Sequence, residues 1–140
     1  SLRITFLAKY GSALLEKSPP PVNGAWMFDF GAIPLELVDG RIKGSYKAET
    51  SMSQLFNLLH AAGPKKTVQT YLFLGRLKGR ACEFEIKTTR DEPGATLLAG
   101  EAKTRSKGLI VFSRDGASAE LAEIKEESLS NLSVIHRLRH

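Results

Sequence analysis

Three short stretches of the chain place two basic residues two positions apart ahead of a glycine: GRIKG at 40–44, GRLKG at 75–79 and TRSKG at 104–108. In an extended strand, residues i and i+2 point to the same side, so Arg41 with Lys43, Arg76 with Lys78, and Arg105 with Lys107 each form a doubled cation. Such pairs suit anionic groups, either the carboxylates of an acidic protein or the phosphates of a nucleic acid. The following glycine, Gly44, Gly79 or Gly108, either admits close approach by a partner or accommodates a turn or bulge. A plainer reading competes with this one. Alternating Lys and Arg keep the outer face of antiparallel strands soluble, and Glu36, Glu83, Glu85 and Glu101 on adjoining strands would neutralise them.

Catalytic and metal chemistry find no motif. There is no glycine-rich phosphate loop, no G-x-S-x-G elbow and no H-E-x-x-H, and His60, His136 and His140 lack ligand spacing to close cysteines or carboxylates. No catalytic residue, metal or cofactor is expected. Cys82 alternates in phase with Phe84 and Ile86, which places its thiol on a core face, where a nucleophile lacks the positive, accessible surroundings that activate it. Asp29, between Phe28 and Phe30, is read as an exposed residue; burial would instead raise its pKa. An alternative site is an internal cavity lined by Trp26, Phe28, Tyr46, Phe73, Phe84 and Phe112, able to hold a small apolar ligand, although such aromatic sets more often fill a core.

The elements that must position these residues are mostly strands. AWMFDF leads into IPLELV, whose Pro34 suggests an edge position or a strand start, and Asp39-Gly40 is a strong hairpin signal. The return strand RIKGSYK sets Ile42, Gly44 and Tyr46 against Arg41, Lys43, Ser45 and Lys47, with the cations outward. One helix is expected from Met52 to Ala62: Ser51 and Gln54 have capping-box spacing, Met52, Leu55, Phe56 and Leu59 form a stripe, and Gly63-Pro64 ends it. TVQTYLFLG and RACEFEIKTT follow as strands about RLKG. ATLLAGEAKT is a further strand, RSKG a turn, and LIVFS and SAELAEI a hairpin around Asp115-Gly116. KEESLSNL breaks the pattern before SVIHRLRH, which reads as a closing strand or as a short helix starting at Ser130.

Roughly seven or eight short strands in meander order, without βαβ alternation, imply a mainly β protein: a small antiparallel barrel or half-barrel with one inserted α-helix. The strand, G-x-apolar-x-G, strand rhythm from NGAW onward, over about residues 23–125, is similar in style to calycin-type small barrels. The single Trp26 departs from the avidin-like pattern, and no ligand residues of that group are present.

With 140 residues and 42% apolar content, the chain suits one folded domain, here residues 23–140, preceded by an N-terminal arm and Pro-rich linker at 1–22. LRITFLAKY reads equally as strand or helix; as a strand it would complete the sheet of a second copy and give a homodimer. No stretch is long and apolar enough for a membrane span. A lone cysteine excludes an intrachain disulfide and favours an intracellular setting. The formal charge of +5 modestly favours acidic partners. The expected function is therefore a non-enzymatic binding or regulatory module whose basic face meets an acidic protein or nucleic acid, with a calycin-like carrier of a small apolar ligand as the alternative.

Overall fold

The computed structural model describes residues 2–51, 66–91 and 102–138. Within them a helix, α1 (Leu2–Leu14), precedes eight strands: β1 (Gly24–Phe28), β2 (Gly31–Val38), β3 (Arg41–Ser51), β4 (Lys66–Lys78), β5 (Ala81–Asp91), β6 (Lys103–Phe112), β7 (Ser118–Lys125) and β8 (Ser128–His136). The strands form one antiparallel sheet in sequence order, curled into a half-barrel. The helix expected at 52–62 lies outside the described residues.

Closure is partial. Trp26 bridges Arg137, and the Leu138 N–H donates to the Ala25 carbonyl at 2.7 Å, which joins β1 to β8 at one end. Beyond that bridge, toward Phe28, the two strands share no further pairing among the described residues. The closed end is filled by Trp26 and Phe112, both fully buried. Trp26 packs edge-on against Phe112 at 5.2 Å, and its indole N–H donates to the Val22 carbonyl at 2.8 Å. That bond satisfies a donor which would otherwise be costly to bury.

The two-residue alternation read in the sequence decides which side of the sheet is core. Ile42, Phe73, Cys82, Phe84 and Ile86 face inward and are buried, while Arg41, Lys43 and Glu83 face out. Pro34 is neither at an edge strand nor at a strand start, because β2 lies between β1 and β3. The β2–β3 ladder begins at Leu35 opposite Gly44, so the missing proline donor falls just past its end.

The ambiguous N-terminal segment is a helix on the chain's own sheet, not a strand added to another copy's. Ile4, Thr5 and Gly11 are weak helix formers, so the helix depends on tertiary packing. Phe6 and Ala13 are buried against Ala81, Val111 and Ala122, small side chains that let the helix lie close to the outer face of β5–β7. Its end is tied twice. The Arg80 N–H donates to the Ala13 carbonyl at 2.9 Å, and Glu16 pairs with Arg114 at 2.9 Å and with Arg80 at 3.4 Å. The hydrogen bond from Arg114 holds the Glu16 carboxyl below its ordinary range despite some opposing desolvation. A depressed carboxyl pKa contributes stability above its unfolded value and loses it as pH falls through the folded value, so this tie weakens in acid.

Two further readings are corrected. RSKG is not a turn: β6 runs unbroken from Lys103 to Phe112, with a bulge where a turn was expected. Nor does KEESLSNL break the pattern, because Glu126 and Glu127 form a two-residue turn at φ 50° and 64°, and β8 starts at Ser128. Both turn residues are left-handed, the conformation that suits the twist of a hairpin, but Glu-Glu carries none of the usual turn chemistry.

Candidate functional site

Register brings the first two basic repeats together. Arg41 on β3 lies directly opposite Arg76 on β4; Lys43 and Lys78 extend the same outer face by one position each way. All four are exposed. Lys107 shares this face two strands along, opposite Glu85. Carboxylates adjoin the cations in register, Glu36 opposite Lys43 and Glu83 opposite Arg76, yet among the described residues none of these five cations forms an ion pair. Val38 and Leu74 stand exposed among them.

Arg105 leaves the group. Ser106 pairs with Ile86 and Thr104 with Lys87, so the register slips by one and Arg105 is the extra residue of a β-bulge. A bulge turns its side chain away from the regular alternation. Thr104 stays on the outer face and donates to Glu85 at 2.7 Å, whereas the Arg105 guanidinium lies over the Phe30 ring at 4.6 Å and 5.6 Å from Tyr71. It also pairs with Asp29 on the β1–β2 turn, at 3.3 and 3.4 Å. The expected Arg105–Lys107 doubled cation is therefore split across the sheet. Asp29 is exposed, in agreement with the sequence reading.

The glycines of the three repeats have a common structural use. A β-carbon at Gly44 would meet the Pro34 carbonyl oxygen, one at Gly79 the Ala13 carbonyl oxygen and one at Gly108 the Ala122 carbonyl oxygen. Each admits the close approach of backbone from the same chain.

The aromatic residues expected to line a cavity divide. Trp26 and Phe112 fill the closed end; Phe73, fully buried, packs on Phe28 and Phe84, which continue into an open cleft; Tyr46 stacks on Tyr71 at 6.3 Å, partly exposed. The cleft, about 390 Å³, opens where β1 and β8 part, and Arg105, Asp29, Glu123 and Asn131 stand at its walls. Asn131 donates to Glu123 at 3.1 Å. Sequence reading did not bring Asp29, Arg105, Glu123 and Asn131 together, because the β1–β2 turn and strands β6–β8, distant in the chain, meet only in the fold.

Cys82 is fully buried, and desolvation pushes its thiol up to about 12. At pH 8 it therefore carries on the order of a thousandfold less thiolate than an ordinary cysteine. Native protein is expected to resist Ellman's reagent at pH 8 and to react fully once unfolded in denaturant; prompt reaction of the native state would place the thiol in a different setting. His136 is exposed, and among the described residues no group of three His, Cys, Asp or Glu side chains gathers as for a metal ion. No helix among them is long and apolar enough to cross a membrane. No family model matches the chain, and comparisons with curated proteins and with solved structures gave no match.

Proposed function

We propose that the protein is a non-enzymatic binding module whose outer β3–β4 face docks on an acidic surface of a partner protein. The observation that carries this reading is Arg41 directly opposite Arg76, both exposed and neither in an ion pair among the described residues. Like charges facing each other across strands are destabilising, and an anion lying between them relieves the cost. Lys43 and Lys78 widen the positive face. Val38, 53% exposed, and Leu74, 40% exposed, add apolar area among the cations, the mixture found in protein interfaces. No aromatic ring lies on this face of β2–β5 among the described residues, so it lacks the stacking platform that single-stranded nucleic acid uses.

The test compares binding of wild type and the double variant Arg41→Ser/Arg76→Ser to poly-glutamate and to a duplex oligonucleotide over a salt titration. Poly-glutamate binding should weaken steeply with salt, and the double variant should bind roughly tenfold more weakly, from two contacts of about 0.5–1 kcal/mol each. Its folding stability should change by no more than about 0.5 kcal/mol. Salt-insensitive binding, or a double variant that binds like wild type, would remove the proposal. Clear preference for the duplex would transfer the face to nucleic acid.

A further inference from the structure

The cleft at the unzipped seam has a different chemistry from the outer face, and we infer that it binds a small apolar monocarboxylate with Arg105 as the anion anchor. Its floor is apolar: Phe28, Phe84, Ile86, Leu121 and Ile135 are all buried side chains that line it. At about 390 Å³ it lies within the range of small-molecule sites, and its polar groups stand at the walls, where they can fix an orientation.

Arg105 is held in advance of any ligand. The bulge aims it to this side of the sheet, and its guanidinium rests over Phe30, whose ring stacks on Tyr71 at 4.1 Å with 10° between planes. A planar fork so held needs little further ordering to receive a carboxylate with two parallel hydrogen bonds. Its present counter-ion is weakly engaged. The Asp29 oxygens lie at 3.3 and 3.4 Å, longer than the roughly 2.7–2.9 Å of a strong charge-assisted bond. The Asp29 side chain is also 71% exposed, and pairs so exposed are worth about 0–1 kcal/mol. Displacing Asp29 into water therefore costs a ligand carboxylate little.

Glu123 sets the direction and the charge of the ligand. It sits in the same cleft with Asn131 bonded to it and the exposed Lys125 ammonium at 3.7 Å, which only partly offsets its charge, so a second carboxylate would meet a like charge. One anionic end goes to Arg105, and an uncharged apolar body lies over the Phe28, Phe84 and Leu121 floor.

The experiment is isothermal titration calorimetry of the intact chain with three probes: 4-phenylbutyrate, its uncharged amide, and phenylsuccinate as a dicarboxylate. The monocarboxylate should bind about tenfold or more tightly than either of the others. Asp29→Asn should tighten 4-phenylbutyrate by several fold with the amide unchanged, because it removes the competing carboxylate. Arg105→Gln should bring the monocarboxylate down to the affinity of the amide. Should Arg105→Gln fail to fold, the wild-type probe comparison and the exposed Asp29→Asn variant still decide. Equal binding of acid and amide, absence of binding by all three, or an Asp29→Asn variant that binds the acid no better would overturn the inference. Arg41→Ser/Arg76→Ser should leave phenylbutyrate binding unchanged, so this site and the outer face stand or fall separately.

Discussion

Replacement of Trp26 by alanine is expected to cost about 3–5 kcal/mol, the range for removing a large aromatic from a packed core. Three contributions add at this position. The fully buried indole leaves a cavity beside Phe112; its N–H no longer serves the Val22 carbonyl; and the backbone bridge to Arg137, part of the junction between β1 and the end of β8, loses the packing that holds it. For a chain of this size the loss corresponds to a fall in Tm of about 10–20 °C. Trp26→Phe keeps most of the ring volume and strands only the Val22 acceptor, so it should cost about 1–3 kcal/mol. Thermal unfolding of the two variants checks the order. A Trp26→Ala protein as stable as Trp26→Phe would mean that the closed end is not packed around this residue.

Gly79→Ala is expected to have the second-largest effect, about 3 kcal/mol or more. Gly79 has φ 62°, a left-handed conformation that costs an L-residue about 1–3 kcal/mol where it is enforced. In addition, its β-carbon would meet the Ala13 carbonyl oxygen and lie 3.1 Å from the carbonyl oxygen of Glu16. Overpacking against backbone adds about 1–3 kcal/mol, because neither partner is a flexible side-chain end. The damage should be directional: α1 should lift from the β4–β5 turn before the sheet melts. Hydrogen exchange offers the check, with protection of the Arg80 amide, now donated to Ala13, lost ahead of that in β3–β5. Uniform loss of protection across the chain would instead mean that α1 and the sheet open as one unit.

The Gly79 result bears on how the repeated Arg-x-Lys-Gly is understood. Its basic residues and its glycine serve different ends: the glycine is needed by the chain's own packing at all three repeats, whereas the cations converge at only two. Asp39-Gly40 and Asp115-Gly116 were legible as turns because their chemistry is local, with a glycine at φ 75° and 69°. The Glu126-Glu127 turn was not legible, since glutamates carry no local preference for positive φ and are held there by the pairing of β7 with β8. The helical state of α1 was equally hidden. Its weak intrinsic propensity is overridden by burial of Phe6 and Ala13 on the sheet.

By itself the sequence determined the antiparallel meander, most of its turns, and the side of each regular strand that meets the core, with Ile42, Cys82, Phe84 and Ile86 inward and Arg41, Lys43, Arg76 and Lys78 outward. Those features follow from a two-residue period and from turn preferences that act within a few positions. Only the tertiary structure decided that Arg41 faces Arg76, that a bulge carries Arg105 through to Phe30 and Asp29, and that β1 and β8 join at Trp26 and part beyond it. Register, bulge position and closure depend on contacts between residues tens of positions apart, and a slip of one residue sends a side chain to the opposite face without changing the local pattern.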